Sequence, residues 1–414
     1  MELVLKNEDR ISILQDDLLL KILDLVDMKT VVKTSVLSTR WRYVWKSVSV
    51  LKLVIRDPRT KKARSFINFV NAVLLLRDIS DTKKFILIWD STSDEIAKHL
   101  TNWIIVALSR HVQELHIEIS SRLTFKLPHQ LFISQTLTDL TLDFCEGNLS
   151  SDIFLPDPMS LPRLKSLSLN SFNGGSDIKW INKLLSSCPV LNSLEIMDMW
   201  VRDDATGVNV DCPELKHLEI INTTESVSFM AMVIKLSTPN LTSFICQDYM
   251  LQKYSLENLS SLVTANIHMM REGDEEEDED KDGLFPKRVM KFLVGLHNVK
   301  ELTLSPADIL QVVSRVPDLM ECQSPLFHNL RHLELEMYFT RRCLRTVTWL
   351  LRTSPAVETL FITSEESNEE EDDEASSLVP CHFPHLRVMK IRKFRGSDKE
   401  IELLRHFLGQ LARP

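Results

Sequence analysis

The sequence predicts an α/β chain, a small all-helical module followed by a long array of strand-containing repeats. Three observations predict it. Leucine supplies 63 of the 414 residues and glycine only 9. One spacing, apolar-x-x-apolar-x-apolar, recurs eleven times between residues 112 and 391. Residues 9–47 carry helical spacing instead, with no strand alternation.

The helical module comes first. Leu14, Leu18, Ile22 and Leu25 recur at helical spacing, and Asp16 and Asp17 suit the positive end of a first helix. Val31, Val32, Val36 and Leu37 suggest a second helix. Trp41 and Trp45 are four apart and would share one face of a third helix, with Ser38-Thr39 as its N-cap. A cover for the end of a repeat array would look like this, since terminal repeats need one. Residues 51–110 read as a linking or first repeat region.

The repeats follow. Copies include VQELHI (Val112 to Ile117), LTDLTL (Leu137 to Leu142), LKSLSL (Leu164 to Leu169), LKHLEI (Leu215 to Ile220) and LRHLEL (Leu330 to Leu335). They start 21 to 37 residues apart, close to the ~20–29-residue period of leucine-rich repeats. The last two apolar residues of each copy alternate with a polar one, the pattern of a half-buried strand. Helical faces precede some copies: Ile178, Ile181, Leu184, Leu185 and Cys188, and later Val289, Phe292, Leu293 and Leu296. Proline often stands just before the strand, as in DCPELKHLEI and TSPAVETLFI, because it cannot continue a helix. The expected fold of residues 111–380 is a solenoid, or horseshoe, of about eleven or more repeats sharing one core.

Charge is unevenly spread. The net charge is −9, yet the runs at 272–283 and 365–374 each carry −8. They read as disordered insertions between repeats, because like charges repel. The rest of the chain is mildly basic and too diffuse for nucleic-acid binding. No apolar run approaches the ~20 residues that span a bilayer, and the N-terminus has no signal-peptide pattern. The seven cysteines show no CxxC, so they read as reduced thiols of a protein in the cytoplasm or nucleus.

Enzyme chemistry finds little support. The nine glycines form no GxGxxG, Walker A loop or GxSxG elbow, so phosphate cradles and a hydrolase nucleophile are not expected. His328 with His332, and Cys381-His382 with His385, lack the four-ligand spacing that zinc requires. No catalytic residue, metal site or cofactor is expected.

DRISILQDDLLLKIL (residues 9–23) and KTVVKTSVLSTRWRYVW (29–45) resemble the F-box of plant F-box/leucine-rich-repeat proteins. SVLSTRWRYVW is the most specific stretch. FPHLRVMKIRKFRGSDKEIELLRHFLGQL (383–411) resembles the FBD domain that often closes such chains, so 381–414 reads as a truncated FBD-like segment after an F-box-like module at 7–50. Two positions depart from the family pattern: Gln15 and Asp27 stand where proline is usual. The resemblance implies docking on the Skp-type adaptor of a cullin–RING ubiquitin ligase. Leu14, Leu18, Ile22 and Leu25 would give the first helix's share of the docking surface, and Val36, Leu37, Trp41 and Trp45 would complete it or its core. It implies a non-catalytic subunit that recruits a protein substrate, with no nucleic-acid or membrane partner. The other reading is a repeat module whose F-box no longer engages a ligase.

A target would meet the strand residues that point away from the core. Glu195, Glu219, Glu334 and Phe361 are the candidate contacts, and a basic protein segment is the partner they suit.

Overall fold

The computed structural model of the chain describes residues 11, 14–56, 63–78, 81–90, 94–120, 127–144, 158–171, 179–198, 207–223, 233–250, 252–271, 284–315, 326–366, 385–396 and six positions after 399. The acidic run at 272–283 lies outside them, as does the second run from residue 367 on. The chain forms two compact units, Met1–Gly175 with Ser187–Pro189, and Ser176–Ser186 with Val190–Pro414.

The first unit opens with α1 (Asp16–Leu23) and α2 (Met28–Lys33). Asp16 and Asp17 in the first turn of α1 and Lys21 in the last complement the helix dipole. Asp27 caps α2, its carboxylate accepting from Thr30 N at 3.1 Å and Thr30 Oγ1 at 2.7 Å. The expected third helix does not form as an α-helix. Residues 39–43 are turns, and a short 3₁₀ turn covers Val44–Ser47. The run Trp41-Arg42-Tyr43-Val44-Trp45 is poor in strong helix formers, and this tighter path lets both tryptophans turn inward.

Five parallel strands follow in sequence order: β1 (Val50–Arg56), β2 (Lys84–Asp90), β3 (Glu114–Ile119), β4 (Asp139–Asp143) and β5 (Ser166–Asn170). Helix α3 (Ala63–Leu76) links β1 to β2, and α4 (Ala97–Ser109) links β2 to β3. Each helix buries an apolar stripe, Ile67, Val70 and Val73 on α3 and Leu100, Trp103 and Ile104 on α4. The region 51–110 carries two strands spaced like those of the repeats. Val48, Leu51 and Leu53 fill the three core positions of one copy, and Thr82, Phe85 and Leu87 those of the next; all six are buried. The first copy is hidden in the tail of the helical module. The second carries a threonine where leucine is usual.

The second unit contains β6 (Ser193–Met197), β7 (Val208–Val210), β8 (His217–Ile221), β9 (Val233–Ser237), β10 (Ser243–Tyr249), β11 (Lys253–Glu257), β12 (Thr264–Met270), β13 (Glu301–Ser305), β14 (His332–Tyr338), β15 (Thr359–Glu365) and β16 (Val388–Arg392). Strands β6, β8, β10, β12, β13, β14, β15 and β16 lie side by side in that order, all parallel. A separate parallel sheet, β7-β9-β11, runs behind the repeats from 193 to 257. There the return path is a strand. Among the described residues helical returns are α5 (Lys179–Ser186), α6 (Leu284–Gly295), α7 (Asp308–Val313) and α8 (Arg341–Arg352). Gly295 ends α6 against Leu256 of β11, where an added Cβ would lie 2.7 Å from the leucine's own.

Each of the eleven predicted copies carries a strand, and like pairs with like. Leu115 aligns with Leu140 and Leu167, and Ile117 with Leu142 and Leu169. A slip of one residue would turn all of them to solvent, so burial fixes the register. A second rule comes from the backbone. The carbonyl of the second motif residue accepts two N–H groups from the next copy. Lys216 O takes Thr242 N at 2.9 Å and Ser243 N at 3.0 Å, and Arg331 O takes Glu358 N at 2.9 Å and Thr359 N at 3.0 Å. The prolines have a defined place too. Leu215 N donates to Cys212 O at 3.2 Å and Val357 N to Ser354 O at 3.2 Å. Pro213 and Pro355 thus occupy the second position of a β-turn that starts the strand, where their fixed φ fits.

One buried strand position carries a carboxylate. Asp248 of β10 is fully buried. It accepts from the Tyr254 hydroxyl, from Asn222 Nδ2 at 3.0 Å and from Tyr249 N at 2.8 Å. Burial pushes its carboxyl above the usual range, and the three donors only partly offset this. Tyr254 lies on β11, so the network ties one sheet of the second unit to the other.

Candidate functional site

The helical module divides its large apolar side chains between inside and outside. Leu19, Leu23, Met28 and Val31 are buried. Leu18 and Ile22, one turn apart on α1, are exposed. Leu25 just beyond α1 is 79% exposed, Val36 85%, and Leu37 is also exposed. Leu14 is half-buried. Trp41 and Trp45 are only 4% and 8% exposed, so both belong to the module's own core rather than its surface. Ile11 and Tyr43 are exposed as well and were not singled out in the sequence. Their only signal was position, beside Leu14 and between the two tryptophans. Single exposed apolar residues are ordinary; this many in one short module make it the candidate interaction surface.

The module is fastened to the first strand without a free joint. Asp24, the C-cap of α1, accepts from Ser49 N and Val50 N at 3.0 Å each and from Ser49 Oγ at 2.8 Å. Arg77 Nη1 donates to Val48 O at 2.6 Å, and Ser47 Oγ donates to Asp78 Oδ2 at 2.8 Å. Burial, with the Arg110 charge, draws the Arg77 pKa down to about 10, against Asp78 and Asp24, which raise it. It stays charged at neutral pH.

The predicted target contacts fall in two separate places of the second unit. Glu195 and Glu219 lie opposite each other on β6 and β8. Neither has an ion-pair partner among the described residues. Half-buried Met197, Ile221 and Ile245 flank them. Glu334 and Phe361 align on β14 and β15, beside Lys390 of β16. Both are engaged within the protein. Glu334 Oε1 pairs with Arg392 Nη1 at 3.1 Å. The Phe361 ring has Lys390 Nζ 5.1 Å and Arg392 Cζ 5.6 Å from its centroid. Arg392, which is 58 residues from Glu334 in sequence, could not be foreseen as its partner.

Among the described residues no group of three His, Cys, Asp or Glu could hold a metal ion, and no helix is long and apolar enough to cross a membrane.

The F-box domain model matches residues 11–53. A second family model, described as FBD-associated F-box protein At5g56370, LRR repeats, matches residues 100–274. The F-box/LRR-repeat protein At4g14103 of Arabidopsis thaliana is 34% identical over 370 residues, covering 86% of this chain and 91% of that protein. The chain belongs to the F-box/LRR-repeat protein family. Another Arabidopsis thaliana member, named "Putative F-box/LRR-repeat protein At3g58920", is 31% identical over 440 residues, 98% of this chain and 91% of its own length. This F-box/LRR-repeat protein therefore has domains that mediate protein interaction, and members of its family are typically non-catalytic adaptors. The F-box match ends at residue 53, inside β1, so the hydrogen bonds of Asp24 to Ser49 and Val50 lie within the F-box itself.

Proposed function

We propose that this protein is the substrate-recruiting subunit of an SCF-type (Skp-cullin-F-box) ubiquitin ligase. The F-box docks on a Skp-type adaptor through Leu14, Leu18, Ile22, Leu25, Val36 and Leu37. The observation that carries this is the exposed apolar set over a module whose tryptophans are already used inside. Repeats within each unit are read as turns of a solenoid, and their strands present the target surface. Glu195 and Glu219, without an ion-pair partner among the described residues and flanked by apolar side chains, suit a lysine or arginine of a target segment. The bonds of Asp24 to Ser49 and Val50 fix the docking helices to the first strand of their own unit. The buried cysteine thiols Cys188, Cys212, Cys246 and Cys343 suit a reducing compartment, cytoplasm or nucleus.

The departures at Gln15 and Asp27 do not argue for a lapsed F-box. Their φ values, −65° and −67°, are those proline would impose. The test is binding of the purified chain to a purified Skp-type adaptor by calorimetry. Wild type binds; Leu18→Asp and Ile22→Asp lose binding while thermal unfolding is unchanged. Wild-type failure to bind would sink the proposal, and binding by both variants would move the docking surface elsewhere. Trp41→Ala is not a surface probe, because Trp41 is core.

A further inference from the structure

We infer that Arg40 is a positioning residue for adaptor docking, clamping the start of α1 so that Leu14, Leu18 and Ile22 are presented in order. The inference rests on the docking reading above and deepens it. Helix α1 has only eight residues, and its N-cap Gln15 makes no side-chain capping bond. Such a short helix with an uncapped start frays in its first turn. Leu18, the first exposed apolar residue of α1, lies in that turn.

Arg40 supplies what the cap lacks, from 24 to 26 residues downstream. Its Nη2 donates to the Leu14 carbonyl and, at 2.6 Å, to Asp16 Oδ1. Nε donates to the same carboxylate oxygen at 3.1 Å. The two residues held lie on either side of Gln15. The next residue, Trp41, is buried, which fixes the base of the arginine. Arg40 thus joins the buried floor of the module to the first turn of its exposed helix.

The ion pair with Asp16 is largely exposed. Exposed pairs add little to global stability. A docking segment that is already ordered avoids the ordering cost at the moment of binding, so the effect falls on affinity. Lysine cannot reproduce the fork that spans a carbonyl and a carboxylate. A proline at position 15 could reproduce the restraint by another route, because φ there is already −65° and no hydrogen bond from Gln15 N is found among the described residues.

The experiment measures adaptor affinity, thermal unfolding and amide hydrogen exchange of residues 16–19 for the full chain and its variants. Arg40→Ala is expected to weaken binding roughly three- to tenfold, speed exchange at those amides and leave the unfolding midpoint nearly unchanged. Arg40→Lys recovers part of the affinity. Gln15→Pro in the Arg40→Ala background restores both affinity and exchange protection. Unchanged exchange in Arg40→Ala overturns the inference whether or not the adaptor binds. Weakened binding that Gln15→Pro fails to restore overturns it too. Loss of binding in the wild type instead strikes the docking reading on which it rests.

Discussion

The F-box and the repeats spend their apolar residues differently. In most repeats the strand buries alternate apolar residues and turns the others outward, β16 with its exposed and half-buried residues excepted; Leu333 and Leu335 of β14 are buried, while His332 and Glu334 lie on the outer face. The apolar side chains left outside are spread over separate elements, Leu75 and Leu76 at the end of α3, Val294 on α6, and half-buried Ile245 and Phe361 on strands. In the F-box, Leu18, Ile22, Leu25, Val36 and Leu37 remain outside although a core of Leu19, Leu23, Met28, Val31, Trp41 and Trp45 is complete beneath them. A strand with period 2 and one solvated face satisfies itself against its neighbours. A short helical module that must bind a partner keeps a surplus.

The sharpest way to break this comparison is to delete a repeat leucine. Leu333→Ala should cost about 2–5 kcal/mol, read as a lower denaturant midpoint, because both neighbouring strands pack on it in register. An exposed F-box residue such as Leu25→Ala should change stability by no more than about 0.5 kcal/mol. Equal losses at the two sites would end the distinction.

A middle-sized effect sharpens it at the buried carboxylate of β10. Tyr254→Phe removes a donor from buried Asp248 and should cost about 1–3 kcal/mol. The pH dependence has a definite sign. Folded Asp248 keeps its proton to higher pH than the unfolded chain, whose carboxyl titrates near 3.8. The folded state then binds more protons over that window, and stability falls as pH rises through it. Asp248→Asn should remove this slope in denaturation profiles taken from acid to neutral pH; a slope that persists places its source elsewhere.

The smallest effect concerns the cap of α2. Asp27→Ala should cost about 1 kcal/mol and increase the exchange of the α2 amides. Burial works against ionisation of Asp27, but the Thr30 hydroxyl and the N–H groups of Thr30 and Lys29 prevail and lower its pKa. Its contribution is therefore present above the usual carboxylate range and is lost as pH falls through the folded value. An Asp27→Ala variant with wild-type acid sensitivity would contradict this.

Much of the repeat region was legible in the sequence. Eleven strands fall where the motif placed them, because alternation and register are short-range consequences of burying one face. The two copies at Val48 and Thr82 escaped notice. One was hidden by its neighbour and the other carried a polar residue in a core position. The sheet β7-β9-β11 escaped as well. Its strands have three to five residues, too short for periodicity to separate a strand from an irregular return. In the F-box, helical spacing grouped Leu18 with Ile22, both exposed on α1, but it could not tell whether Trp41 and Trp45 belong to the surface or the core.

The sequence by itself determined the repeat period, the inward residues of the strands and the presence of an F-box, because each depends on residues within one or two turns or a single strand. Tertiary structure alone decided three things. It sent Trp41 and Trp45 inward, it paired Glu334 with Arg392 across 58 positions, and it brought Arg40 to the start of α1. Those outcomes depend on which surfaces are left once the chain has packed, and contacts between residues so far apart leave no spacing in the sequence to read.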